Sequence, residues 1–398
     1  MRLRRRSRAL VEACGGLLLF ALVLKLGLLA GLMQLDYYDV GVYRHYGEAI
    51  SAGGVPYRDF HVEYPPGSLP FFIVPALSTG TATAYRRVFD VEMSIVFFLF
   101  LLVVRMLGGR GSSLVAAIAV GLLGSVAVIR FDLGAALLTA AAILAVMRGR
   151  PGISGLALGA AIAVKGYPAV LLPVIAVYVA RSTGKRAALS ACALAVAVVA
   201  VAYAPFVAVA PSGVRQSVES QLLRPLEIES TGGVVYAIGR KVRRPTRRCC
   251  RYEFSQGSAK ALARASALLG VAALLMIWLR FLRSAASQRD LVLACAASVA
   301  VTIAFAKVFS PQYLLWLIPL VVVIPGRRRG ALAGLFAACS LTAWVFPTHW
   351  HALLSLHWTP LLVELARDLL VVATAGVLAA SIRPMRPLFP VDLSRAEP

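Results

Sequence analysis

Runs of about twenty apolar residues recur from one end of this sequence to the other, and no other feature limits its possible folds so strongly. After a basic opening, MRLRRRSR, the chain stays apolar to about Met33. Further runs lie at about 88–107, 113–129, 131–147, 153–164, 167–180, 187–209, 261–282, 290–306, 313–325, 331–346 and 360–382. Hydrophobic residues make up 60% of the 398, against about 45–50% in a soluble domain. The runs are long, rich in Ala and Leu, and do not alternate. Helix is therefore the spanning element they predict, since each helix pairs its own backbone groups as a bilayer demands. The expectation is an all-α polytopic membrane protein of about twelve transmembrane helices, with residues 1–398 forming one integral membrane domain. No polar stretch is long enough to bury a separate core of its own.

A formal charge of +23 would suggest nucleic acid as the partner of a soluble protein. Here Lys and Arg gather in short links between apolar runs, as orientation signals do, so membrane lipids and not nucleic acid are the expected surroundings. With the N-terminus in the cytoplasm, alternation puts six links on that side: 105–110, 148–150, 181–186, 280–289, 327–329 and a tail, 383–398. All six are basic. The opposite links are short or weakly charged, apart from a large outer loop at 211–260 that carries GRKVRRPTRRCCRYEF. Long loops cross with less regard for charge. The expected location is the plasma membrane, multi-pass, with both termini cytoplasmic. A cleaved signal peptide fits poorly, because the first run is long and no small-x-small site follows it.

Cys14, Cys192, Cys295 and Cys339 fall in apolar runs as small packing residues. The adjacent Cys249 and Cys250 are too close for ordinary disulfide geometry. No zinc spacing is present, and His349, His351 and His357 have no acidic neighbour in sequence, so no metal site is expected.

Acidic residues are scarce except at 34–64, an expected outer loop holding Asp36, Asp39, Glu48, Asp59 and Glu63 among Tyr37, Tyr38, Tyr43, Tyr46, Tyr57, Phe60 and Tyr64. Aromatic rings favour the membrane–water boundary, where one end is dry and the other wet. A carboxylate held there serves as a general base, a metal ligand or a plain surface charge. Asp39 precedes Tyr43 by four, which on a helix puts them on one face. Gly53–Gly54 predicts a turn. Residues 65–79, PPGSLPFFIVPALST, predict a short interfacial or half-inserted helix, with a sharp boundary at Tyr64–Pro65 because the residue before proline is driven extended.

Isolated polar residues mark three further breaks. They are Arg130 and Asp132 around Phe131; Lys165 and Tyr167 in Lys165-Gly166-Tyr167-Pro168; and Lys307, Gln312 and Tyr313 in Lys307-Val308-Phe309-Ser310-Pro311-Gln312-Tyr313. Charge within a membrane is costly and usually has a reason; the plainer account is that these are helix ends whose Lys and Arg reach the interface. Together they bring positive charge to the side of the acidic loop, where it suits a lipid phosphate. The stretch 240–251 is a second place for phosphate, or simply a solvated or headgroup-binding loop.

Taken in order, these pieces resemble a known family. Asp39-x-x-x-Tyr43, Gly54-x-Pro56-Tyr57-x-Asp59-Phe60 and Glu63-Tyr64-Pro65-Pro66 are similar to the first outer loop of bacterial glycosyltransferase family 87. These are GT-C membrane enzymes that include mycobacterial α-mannosyltransferases acting on phosphatidylinositol mannosides. Arg130-Phe131-Asp132, Lys165-Gly166-Tyr167-Pro168 and Phe309-Ser310-Pro311-Gln312-Tyr313-Leu314-Leu315-Trp316 follow in the expected order, so the resemblance runs from about residue 36 to 325. It implies a GT-C-like fold and a hexose, mannose foremost, carried on polyprenyl phosphate. It also implies an envelope lipid or glycan acceptor at the outer face, and inverting transfer with a first-loop carboxylate as base. By position that base is Asp39, with Asp36 three residues earlier as the other choice. The chemistry suits the residues, since a polyprenyl-phosphate sugar has a good leaving group, one carboxylate must take the acceptor's proton, and a cation must steady the phosphate. Lys165, Lys307 and Arg130 are the cations. Tyr43, Asp59, Glu63, Asp132, Tyr167, Gln312 and Tyr313 complete the expected substrate-binding set, with no cofactor needed. Two other classes compete. A transporter or flippase for a lipid-linked sugar would suit the many helices, but the halves show no clear similarity and the charges gather at one surface. An assembly partner leaves the acidic loop without a task.

Overall fold

The computed structural model describes residues 2–31, 33–78, 80–239, 245–248, 251–324 and 329–384. Most of the basic stretch 240–251, the Cys249–Cys250 pair, part of the 327–329 link and nearly all of the tail 383–398 lie outside the described residues.

Among the described residues, five helices are long and apolar enough to cross a membrane: Ser7–Leu29, Ala82–Gly108, Lys185–Val209, Gly257–Leu282 and Arg329–Thr348. Six shorter apolar helices accompany them, among them Asp132–Met147, Pro151–Val164, Tyr167–Ser182 and Pro311–Val322. The two sets divide by environment. Long helices turn much apolar surface outward, with Leu18, Val201 and Leu268 exposed at 73%, 73% and 72%. So much outward-facing apolar surface suits lipid tails better than water. Inside, Leu314–Val322 is buried at every residue, and Gln288–Ala304 at nearly every one. A helix apolar all round belongs in such a place. Small residues bring neighbours together: a Cβ on Gly155 or Gly159 would lie 2.3 or 2.5 Å from the carbonyl oxygens of Ala191 and Ala195. This is small-x-x-x-small packing, in which backbones touch directly.

Three of the shorter helices begin at or just after the polar breaks. Asp132 opens Asp132–Met147. A 3-10 turn, Tyr167–Leu171, leads into Leu172–Ser182, and another, Pro311–Tyr313, leads into Leu314–Val322. Pro168 and Pro311 sit at the first or second turn position, where a missing N–H costs nothing.

The acidic loop is itself ordered. Helix Tyr38–Ser51 starts where Asp36 Oδ1 accepts the Tyr38 N–H at 3.0 Å, pairing one orphan donor of its first turn. Gly53, at φ +92°, lets the chain turn back. Asp59 closes the following turn, accepting from Val55 N at 2.7 Å and Arg58 Nε at 2.8 Å. Pro65 is extended, and a 3-10 turn Pro66–Ser68 passes into helix Pro70–Ala76. At seven residues that helix is about 10 Å long, too short to cross a bilayer. It packs on Tyr38–Ser51 so closely that a Cβ on Gly47 would lie 2.0 Å from the Phe72 carbonyl oxygen. Gly47→Ala is therefore expected to destabilise the protein by about 1–3 kcal/mol, read as a lower midpoint in thermal unfolding of the detergent-solubilised chain.

The region 211–260 departs from the all-α expectation. It holds helices Pro211–Leu222 and Thr231–Gly239 and a three-stranded antiparallel sheet. Strand Arg251–Phe254 is central, between Leu226–Glu227 and Thr246–Arg248. It also builds a second small core, in which Leu226, Ile228, Tyr236 and Phe254 meet Val345, Leu353 and Leu361. This core is shared with residues about a hundred positions away, so the stretch 211–260 does not enclose it alone.

Candidate active site

The three polar breaks and the acidic loop converge on a cavity of about 390 Å³. Six of the residues singled out from sequence line it: Asp39, Glu63, Lys165, Tyr167, Gln312 and Tyr313. The other six stand around or away from it. Arg130 is 4% exposed, and its Nε pairs with Asp39 Oδ2 at 2.8 Å. Asp132 is fully buried; its Oδ1 accepts from Trp316 Nε1 at 2.9 Å and pairs with Lys165 Nζ at 3.1 Å. Both act behind the wall, one holding a carboxylate and the other a lysine. Its place in the first turn of its helix also favours the negative charge of Asp132. Tyr43 lies under the loop, stacked on Phe72 at 4.8 Å and edge-on to Phe131 at 5.4 Å. Burial pushes the Tyr43 and Tyr64 phenols well above their ordinary range, so both stay neutral. Asp36 and Asp59 are occupied by the turns described above. Lys307 donates from Nζ to the Leu222 carbonyl at 2.6 Å and fastens helix Pro211–Leu222.

The cavity wall around Lys165 is aromatic. Trp316 is sandwiched between Tyr167, at 4.1 Å and 2°, and Tyr313, at 3.9 Å and 22°. The ammonium lies 4.8 Å from the Phe131 ring centre, 5.1 Å from Tyr64 and 5.9 Å from both Tyr313 and Trp316. Ring quadrupoles and Asp132 thus hold one cation at the edge of the cavity. A flat aromatic stack beside a fixed cation can take a polar ring and an attached anion.

Several residues here were not foreseen. Arg224, Glu227, Glu229 and Trp350 also line the cavity, as does Trp316, which closes the last of the quoted motifs. Arg224 pairs with Glu63 and reaches Glu227 at 3.8 Å, while Gln221 Nε2 donates to the Glu63 carbonyl at 2.8 Å and Ser217 Oγ to that of Val62 at 2.7 Å. The segment 217–227 is thereby strapped to the end of the acidic loop. Glu229 is 8% exposed. Burial foremost, then the nearby Glu364 and Glu227, push its carboxyl well above the usual range, against the pull of Arg367 and Arg130. Arg367, on the closing helix Trp358–Ala380, donates to the Glu229 carbonyl at 2.5 Å and to Asp368 Oδ1 at 2.8 Å, and pairs with Glu364. The run SQLLRPLEIES carries the signal: an arginine and two carboxylates within ten residues of a polar link.

Apolar helices wrapped around one polar cavity make this a multi-pass membrane protein. The family model for glycosyltransferase family 87 matches residues 60–311. That is more than half of the sequence, and the chain belongs to glycosyltransferase family 87; it is a membrane glycosyltransferase. The match takes in Glu63, Arg130, Asp132, Lys165, Tyr167 and Lys307, while Asp36, Asp39, Tyr43 and Asp59 precede it and Gln312 and Tyr313 follow it. Among solved structures, ArnT from Cupriavidus metallidurans in the apo state is similar at a TM-score of 0.43 and 14% identity, over 95% of this chain and 77% of that one. No curated protein matches.

Proposed function

We propose that this enzyme moves a hexose, mannose foremost, from a polyprenyl-phosphate donor to an envelope lipid or glycan at the outer face of the plasma membrane. The reading includes about twelve membrane passages and cytoplasmic termini. The observation that carries it is one cavity lined by both Asp39 and Lys165, in a chain of this family. Asp39 takes the proton of the acceptor hydroxyl as that oxygen bonds to the anomeric carbon. The bond from that carbon to the phosphate oxygen breaks, and the phosphate leaves with the electron pair. A single displacement inverts the anomeric centre. Arg130 fixes the orientation of the Asp39 carboxylate, and Asp36 is left to its turn. Lys165 meets the charge growing on the phosphate, and the Tyr167–Trp316–Tyr313 stack receives the sugar face.

Lys165→Met, which keeps an unbranched side chain one atom shorter and removes its charge, is expected to lower transfer by about 10²–10³-fold. The proposal itself is tested by incubating membranes that contain the protein with labelled polyprenyl-phosphate mannose, and in parallel with a labelled nucleotide sugar. Transfer from the lipid donor alone supports it. Transfer from the nucleotide sugar alone counts against it.

A further inference from the structure

Buried polar groups in folded proteins nearly always have a partner, and an exception calls for a reason. Glu229 is such an exception. It lines the cavity, it is 8% exposed, and its Oε1 is shut off from solvent without a hydrogen-bond partner. Its place is rigidly set. Arg367 grips its carbonyl, the adjacent Ser230 Oγ bonds the Glu227 carbonyl at 2.7 Å, and Thr231 Oγ1 bonds that of Ala304, also at 2.7 Å. The backbone that carries this carboxyl is held in place, and a carboxyl left unsatisfied there costs stability unless something else completes it.

We propose that Glu229 is a sugar-binding residue whose carboxyl receives a hydroxyl of the glycosyl group of the lipid-linked donor. The inference rests on the donor class proposed above and adds how the sugar is told from the lipid phosphate that carries it. Burial, and after it crowding by Glu364 and Glu227, favours the protonated acid. A protonated acid both donates and accepts, as a sugar hydroxyl does, and it does not repel the donor's phosphate. Lys165 and the aromatic stack serve the phosphate and the ring face; Glu229 reads a hydroxyl. A site built to bond a hydroxyl discriminates strongly against a ligand lacking it.

The test compares two probes by intrinsic fluorescence, since Trp316 and Trp350 line the cavity: polyprenyl-phosphate mannose, and the same polyprenyl phosphate without sugar. Glu229→Met should weaken binding of the sugar-bearing lipid by about 10- to 100-fold and leave the bare lipid unchanged. Glu229→Gln, whose amide also donates and accepts, should keep wild-type discrimination. The inference is overturned if Glu229→Met weakens both lipids equally or neither. Loss of discrimination by a folded Glu229→Gln also overturns it. If the wild type binds neither lipid, the donor class is wrong and the inference falls with it. If the wild type binds both but does not distinguish them, only the inference falls.

Discussion

Asp39→Asn is expected to lower sugar transfer by about 10²–10⁴-fold, the usual contribution of a positioned general base. Asparagine keeps the size of the side chain, and its amide oxygen can still face Arg130 Nε, which now pairs with Oδ2 at 2.8 Å. It has no basic oxygen for the acceptor's proton. The Asp39 side chain is 22% exposed, so solvent makes up part of the lost charge beside Arg130 and the fold should persist. Asp36→Asn is the matched control. Asp36 accepts from Tyr38 N two residues on, an asparagine oxygen makes the same local bond, and transfer should stay near wild type. Both variants are assayed for labelled transfer at equal amounts of folded protein. A dead Asp36→Asn beside an active Asp39→Asn would exchange the two roles.

Arg367→Met is expected to cost about 3–5 kcal/mol of stability, as does removing one partner from a buried charge cluster. Side-chain exposure is 1% for Arg367, 2% for Glu364 and 0% for Asp368. The guanidinium also lies 3.8 Å over the Phe309 ring. Without it, two buried carboxyls lose their counter-charge and the Glu229 carbonyl loses its donor. Arg367→Lys should rescue little, since an ammonium lacks the planar fork that reaches several acceptors at once. Combining Arg367→Met with Glu364→Gln and Asp368→Asn should recover part of the loss by removing the orphaned charges. Thermal unfolding in detergent measures all of these, and a single Arg367→Met that melts like wild type would mean that the cluster contributes nothing.

The length of the apolar runs located the long helices well: 187–209 became Lys185–Val209 and 261–282 became Gly257–Leu282. It located helix ends poorly. The run 113–129 ends as a helix at Leu122 and continues as a 3-10 turn, Gly124–Ala127, with Gly124 at φ +76°. Apolar residues alone do not mark that change. Asp39, Glu63 and Lys165 stood out because charge is rare in this chain, whereas the partners of Arg130 and Asp132 are set by contacts that sequence order does not express. Arg224, Glu227 and Glu229 were obscured by the louder basic stretch that follows them. Glu364, Arg367 and Asp368 were legible, being three charges at i, i+3 and i+4 inside an apolar run, yet the run reads first as an ordinary span.

The most direct measurement is photo-labelling of the wild type with polyprenyl-phosphate mannose carrying a photoreactive group next to the phosphate, followed by peptide mapping. The account predicts saturable labelling of the peptides that carry Tyr64, Lys165 and Tyr313, blocked by unmodified donor and reduced in Lys165→Met. Saturable labelling elsewhere, for example in the apolar groove beside Trp278 and Leu279, with these peptides untouched, would contradict it.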